Sequence, residues 1–156
     1  MATDHAARVV ADADVLAADL LVGGAARDAL DTVRAHDWID LLASDPLLDD
    51  AAAVVRELAD ESLAAAWRER IADERLPVDH PDGDQPALAS AYRGDAAHLL
   101  SFDEGLTGAG TNRSLREHMQ VSVRSPAAFV SVFDAERLYG AVVGGEYPGP
   151  DRDPRD

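Results

Sequence analysis

The chain has 156 residues, of which 47% are hydrophobic, so it is long enough to bury one sizeable core and short enough to be one domain. It carries 30 acidic side chains against 14 arginines and no lysine, a net charge of −16. The lack of cysteine excludes disulfides, zinc sites built on thiolates and cysteine nucleophiles, and the lack of lysine excludes nucleotide binding through a P-loop.

A densely acidic, lysine-free surface resembles that of proteins from salt-loving archaea, in which concentrated salt screens the repulsion between carboxylates. At molar salt the contacts of any protein with phosphates are screened as well, so the net charge does not exclude a nucleic-acid partner. The sequence contains no apolar run of transmembrane length and no secretory leader. We therefore expect a cytoplasmic protein that does not enter the membrane.

The first part of the chain predicts a strand followed by two helices. The apolar run RVVA (8–11) is typical of a buried strand. From residue 15 to 34 apolar residues recur at helical spacing, and Gly23 with Gly24 interrupts them. These residues predict two helices with a break between them.

The middle of the chain predicts a second strand and the strongest helical segment. WIDLLAS (38–44) is typical of a strand, and residues 45–74 have continuous helical periodicity with Pro46 suited to a first turn. This segment is either one long helix or two helices that meet near Asp60. A loop at 80–84 follows it.

The next segment predicts a helix from Gln85 to Tyr92 closed by Gly94, and then a strand at HLLSF (98–102). Asp84 is placed to cap this helix.

The last third predicts a glycine-rich turn at 105–110, a helical turn at 114–118 and a strand at 119–123. Ser125 is a plausible N-cap, with Pro126 at the first helical position. Residues 144–156 have turn residues and charge without periodicity, which predicts a disordered tail.

Strands that alternate with helices predict an α/β fold with three layers and a mostly parallel central sheet of four or five strands. We expect a single domain over residues 1–136 and a C-terminal extension over 137–156 that is disordered at its end.

Acidic residues follow the predicted strands at the positions where such sheets bind ligands, beyond the carboxyl ends of the strands. Asp12 comes directly after the first strand and Asp103 after the third, while Asp84 precedes a helix. Taken singly, each is explained by helix capping in a chain so rich in aspartate. Together they would repel one another, which a divalent cation relieves, and oxygen ligands favour Mg²⁺ or Mn²⁺.

Three stretches resemble the PIN-domain nucleases. VVADADVL (9–16) is similar to that family's first strand with its terminal Asp, here Asp12, and Asp14 stands where the family usually has Asn. DGDQPALASAYRGDAAHLLSFDEGL (82–106) is similar to its second half, in which an Asp starts a helix and a strand ends in Ser-x-Asp, here Ser101 to Asp103. VRSPAAFVSVF (123–133) resembles the closing strand, Ser-Pro and helix.

The family also has an acid, usually Glu, on the helix after the second strand, and here the sequence departs from it. Alignment from Ser44 puts Asp50 in that position, and Glu57 two helical turns later is the alternative.

The resemblance implies that Asp12, Asp50, Asp84 and Asp103 hold Mg²⁺ or Mn²⁺ and hydrolyse RNA phosphodiester bonds, leaving 5′-phosphate and 3′-hydroxyl ends. Asp14 and Ser101 would orient the metal ligands. Further implied partners are a small antitoxin protein, if the nuclease is a toxin of the toxin–antitoxin type, and a second copy in a homodimer. The candidate cationic contacts to RNA phosphates are Arg93, Arg113 and Arg116.

Two other functions stay open. A degenerate PIN-like scaffold would act as a binding or assembly module without catalysis. DADVL also resembles the first motif of haloacid dehalogenase-like phosphatases, with Asp12 as nucleophile and Asp14 as acid and base, although the lysine of that family is missing. A response-regulator receiver would also need a lysine, which excludes it.

Overall fold

A computed structural model of the chain describes residues 5–107 and 120–152. Its centre is a sheet of five parallel strands in the order β3-β2-β1-β4-β5. Helices cover both faces, so the predicted α/β fold with three layers is confirmed. The strands are β1 (Arg8–Ala11), β2 (Asp40–Ala43), β3 (Leu76–Pro77), β4 (His98–Leu100) and β5 (Ser122–Arg124).

At least one helix lies in each connection between successive strands. The helices are α1 (Ala13–Leu21), α2 (Gly24–Arg34), α3 (Asp45–Leu58), α4 (Glu61–Glu74), α5 (Pro86–Arg93), α6 (Glu104–Thr107), α7 (Pro126–Val132) and α8 (Ala135–Val142).

The core lies between the sheet and these helices, because the apolar side chains of the strands are buried there. Val9, Val10, Leu99 and Leu100 are wholly buried. Such continuous apolar runs are typical of parallel strands covered on both faces. Few aromatic side chains contribute, and Phe129 on α7 is the largest that is fully buried.

The helix breaks predicted from the sequence are confirmed. Gly23 separates α1 from α2 with φ of 85°, a left-handed conformation that glycine adopts readily. The segment 45–74 forms two helices, because Asp60 caps α4 by accepting a hydrogen bond of 2.7 Å from the amide of Leu63. Ser125 caps α7 in the same way, with Pro126 in its first turn.

Other local predictions were wrong. Asp84 does not cap α5. The side-chain oxygen of Gln85 accepts from the amide of Leu88 at 2.6 Å, because Pro86 is the first helical residue and sets the cap at position 85.

Strand ends and one turn also differ from the prediction. Strand β3 was missed, since two residues carry no periodicity. The predicted turn at 105–110 begins as helix α6, and β5 extends to Arg124 rather than ending at 123. The helical turn predicted at 114–118 lies outside the described residues, as does the beginning of the strand predicted at 119–123.

Residues 144–152 contact the body of the protein, and disorder at the very end of the chain stays a prediction. The hydroxyl of Tyr147 lies 2.6 Å from Nε2 of His36. The carboxylate of Asp151 accepts from the amide of Asp37 at 2.8 Å, and its own amide donates to the carbonyl of Ala35. These contacts bind the extension to the loop between α2 and β2. Residues 153–156 lie outside the described part.

Strand order places the switch point of this sheet between β1 and β4. The chain moves outward from β1 in one direction through β2 and β3, and in the other through β4 and β5. The crevice beyond the carboxyl ends of β1 and β4 is the place where open α/β sheets bind ligands.

Candidate functional site

Asp12 and Asp103 lie at this switch point. Strands β1 and β4 pair in register, with Ala11 opposite Leu100, so the residues that follow them leave the sheet side by side. The amide of Asp12 donates to the carbonyl of Leu100 at 2.9 Å. The carboxyl ends of the strands before Asp12 and Asp103, which are β1 and β4 in the structure, therefore lie side by side as predicted.

Ser101 connects the two aspartates. Its hydroxyl donates to Oδ2 of Asp12 at 3.2 Å and accepts from the amide of Asp103 at 3.0 Å. The residue is wholly buried, and its own amide donates to the carbonyl of Arg124 at 2.9 Å. Ser101 therefore ties together the ends of β1, β4 and β5, and orients one carboxylate.

Asp12 lies in an environment that opposes its negative charge. Burial raises the pKa of this carboxyl group. Hydrogen bonds from the Ala13 amide and the Ser101 hydroxyl act in the opposite direction, and the nearby charges of Asp14 and Asp103 raise the pKa further. The net shift is upward, so this position favours a bound cation or a proton.

Asp103 is exposed and is held by its own loop. Its Oδ1 accepts from the amide of Gly105 at 2.8 Å, and its carbonyl accepts from the amide of Thr107. A Cβ at position 105 would lie 3.1 Å from Oδ1 of Asp103. Glycine at this position therefore leaves room for the Asp103 carboxylate against the loop backbone.

The other predicted ligands do not join this pair as a ready-made cage. Asp50 and Glu57 are exposed on α3, and Asp84 is exposed before α5. In residues 5–107 and 120–152, no three acidic or histidine side chains form a group able to hold a metal ion. Asp14 is exposed in the first turn of α1 and is close enough to Asp12 to influence its charge.

A second polar arrangement, which the sequence did not predict, lies at the carboxyl end of β2. Ser44 is buried and caps α3 by accepting from the amide of Leu47 at 3.2 Å. The Ser44 hydroxyl is also 2.8 Å from Nε2 of His80, and the Ser44 amide donates to Oγ of Ser90 at 3.3 Å. The His80 contact fixes the loop that leads towards Asp84. No sequence pattern predicts the contact between Ser44 and His80, because 36 residues separate them.

The candidate RNA contacts are only partly described. Arg93 is exposed at the end of α5. Arg113 and Arg116 lie outside the described residues. Arg124, which was not predicted, ends strand β5 beside Ser101.

The chain belongs to the family described as "Family of unknown function (DUF7384)", whose model matches residues 3–155. Neither the curated proteins nor the solved structures contain a significant match. Along the described ranges, none of the helices combines the length and apolarity that crossing a bilayer requires.

Proposed function

We propose that the protein is a nuclease that hydrolyses RNA phosphodiester bonds with Mg²⁺ or Mn²⁺ bound by Asp12 and Asp103. The observation that supports the proposal is the convergence of these two carboxylates, with Ser101 between them, at the switch point of a parallel sheet. The resemblance of the same residues to the PIN-domain pattern supplies the choice of RNA.

Two carboxylates are a sufficient donor set for this class of metal. Mg²⁺ keeps several waters and is commonly bound through one or two carboxylates together with substrate phosphates, rather than by an all-protein cage. Burial, and then the charges of Asp14 and Asp103, raise the pKa of Asp12, and a divalent cation would offset that negative charge. When bound, the metal would activate water and offset charge on the phosphoryl oxygens.

The surrounding residues would orient these ligands. The Ser101 hydroxyl fixes the rotamer of Asp12, and the Gly105 amide fixes that of Asp103. Asp14 would add negative charge at the rim. Asp84 and one of Asp50 or Glu57 would complete the site when RNA and metal are bound.

Cleavage of RNA with Mn²⁺ in molar KCl tests this proposal. We expect wild type to yield 5′-phosphate ends and Asp12→Asn to fall to the background rate. Ser101→Ala should lose about 10- to 100-fold, because it removes a hydrogen bond that orients a ligand. The matched control is Asp60→Asn, which removes another aspartate that caps a helix. Cleavage by Asp12→Asn at the wild-type rate would refute the proposal.

A binding module without catalysis is the second candidate, and one observation favours it. The described residues present a pair of carboxylates rather than a group of three. Titration with Mn²⁺ separates the two functions without relying on activity. Saturable binding that Asp12→Asn abolishes supports the nuclease, and a wild type that binds RNA but no metal supports the module.

A further inference from the structure

A cavity of about 330 Å³ lies between strands β4 and β5 and the segment that contains α7 and α8. His98 and Arg124 line it from the sheet, and Phe133, Arg137 and Leu138 line it from the helical segment. Its volume falls within the range of small-molecule sites, and most of its wall is apolar.

The two arginines of this cavity differ from the ion-paired arginines of the fold. Arg34, Arg68 and Arg75 each form ion pairs with aspartates. Arg124 and Arg137 form no ion pair with any described side chain. Both guanidinium groups line the same cavity, so their charge has no carboxylate partner there among the described ion pairs.

The one carboxylate in the cavity wall is already engaged. Asp134 caps α8, and its Oδ1 accepts from the backbone amide of Arg137 at 3.1 Å. This hydrogen bond involves the backbone of Arg137 and not its guanidinium group.

His98 is the third polar group of the cavity, and it also lacks a partner. Its Nδ1 is buried without a hydrogen bond. Its ring packs edge to face against Phe129 at 5.3 Å and faces Phe133 at 6.5 Å. Burial, followed by the charges of Arg124 and His5, lowers the pKa of His98 to about 4, so the ring is neutral at pH 7.

We propose that this cavity binds a small organic anion, with a carboxylate or phosphate group against Arg124 and Arg137 and an apolar body against Phe133 and Leu138. Guanidinium groups bind both oxyanions with charge-assisted hydrogen bonds. The site is separate from the Asp12–Asp103 pair and does not depend on the nuclease proposal.

The test uses hexanoate and hexyl phosphate as probes, with hexan-1-ol and inorganic phosphate as the two partial ligands. Calorimetry on the full chain should show saturable binding of one or both hexyl anions. We expect binding at least about tenfold weaker for hexanol, which lacks the charge, and for inorganic phosphate, which lacks the apolar body. The better of the two hexyl anions identifies the oxyanion.

Variants locate the binding. Arg124→Gln and Arg137→Gln should each weaken it about tenfold or more, while Arg56→Gln on α3 serves as a control that removes an exposed arginine outside the cavity. Ala141→Phe should block the cavity without changing its charge. Asp12→Asn should bind the anion as wild type does.

A spectroscopic reading separates occupancy of this cavity from binding elsewhere. The charged groups around His98 are Arg124, Arg137, Asp134 and His5. A bound anion would offset the two arginines, so NMR titration should show the pKa of His98 rise. Absence of saturable binding, binding that survives both arginine substitutions, or a His98 pKa that does not move would each overturn the proposal.

Discussion

Helix α1 carries an aspartate near each end, and the two are treated in opposite ways. At its C-terminal end, Asp19 is 7% exposed and forms two hydrogen bonds to Arg34, of 2.6 and 2.8 Å. At its N-terminal end, Asp12 receives bonds from the Ala13 amide and the Ser101 hydroxyl, and its charged neighbours are the acids Asp14 and Asp103.

The difference separates a structural carboxylate from a candidate ligand. The helix dipole disfavours an anion at the C-terminal end, so Asp19 needs its arginine. At the N-terminal end the dipole favours an anion, yet the pKa of Asp12 is still raised by burial and by its acidic neighbours. Asp19 is neutralised within the fold, whereas Asp12 has charge left for a ligand to offset.

The largest effect on the free energy of unfolding is expected from removal of the ion pair between Arg34 and Asp19. Arg34→Gln should destabilise the protein by about 3–5 kcal/mol, because it leaves the buried charge of Asp19 without its partner. Burial alone would lower the pKa of Arg34, but the hydrogen bonds to Asp19 and Asp31 raise it overall, so the guanidinium is charged at any working pH. Denaturant unfolding measures the change.

The matched control for that experiment is Arg56→Gln. Arg56 lies 4.0 Å from Glu61, and both side chains are exposed. We expect a change within about 0.5 kcal/mol. Equal effects of the two substitutions would show that the pair at Asp19 is not the stabilising contact inferred from its burial.

His98 gives the second largest effect and is the basic counterpart of Asp12. Its folded-state pKa of about 4 lies below the unfolded value of 6.5, for which burial is the first cause and the charge of Arg124 the second. The unfolded chain therefore takes up the proton first as pH falls. Stability from this group is complete above pH 6.5 and is lost between pH 6.5 and 4, by about 3 kcal/mol.

The measurement is the difference in unfolding free energy between wild type and His98→Gln across that pH range. The comparison with the variant removes the contribution of the many carboxylates. A difference that stays constant from pH 7 to 4 would contradict the burial of a neutral imidazole.

The meeting of Asp12 and Asp103 was predictable from the sequence, whereas the ion pair of Asp19 and Arg34 was not. Asp12 and Asp103 follow apolar strands, and parallel strands bring their carboxyl ends to one edge, so pattern alone predicts that they meet. Nothing in the pattern selects Arg34 for Asp19, because 15 residues separate them and many other acids were available.

Sequence spacing is a weaker guide away from the strand ends. Asp84 and Asp50 lie on exposed segments, where composition supplies acids regardless of function, so their place in the site stays a prediction. The cavity at His98 combines β4, β5 and α8, and only the three-dimensional packing brings its two arginines together. The contact of Tyr147 with His36 could not be predicted either, because 111 residues separate the two.

Binding of metal at Asp12 should have a smaller effect on stability, and one that depends on this residue. Mn²⁺ at ten times its dissociation constant should stabilise wild type by about 1.4 kcal/mol and leave Asp12→Asn unchanged. Thermal unfolding with and without Mn²⁺ measures it. Stabilisation of both proteins to the same extent would place the ion elsewhere on this acidic surface.

Without metal, the same substitution should stabilise the protein at neutral pH. The folded-state pKa of Asp12 is raised, so wild type loses stability as pH rises through that pKa, and asparagine avoids the loss. The advantage of Asp12→Asn should therefore fade as pH falls and the wild-type carboxyl group becomes protonated. An advantage that grows in acid would show that the pKa of Asp12 is lowered instead.

The smallest effect is expected from the hydrogen bond between Tyr147 and His36. Tyr147→Phe removes the hydrogen bond to buried His36 and keeps the ring that packs beside it, which should cost about 1 kcal/mol. Hydrogen exchange should increase across residues 144–152, since this bond helps to hold the extension against the loop after α2. Tyr92→Phe is the control, because Tyr92 is 62% exposed. A loss as large as that of Arg34→Gln would mean that the extension, rather than the charge pair on α1, dominates the stability of this side of the fold.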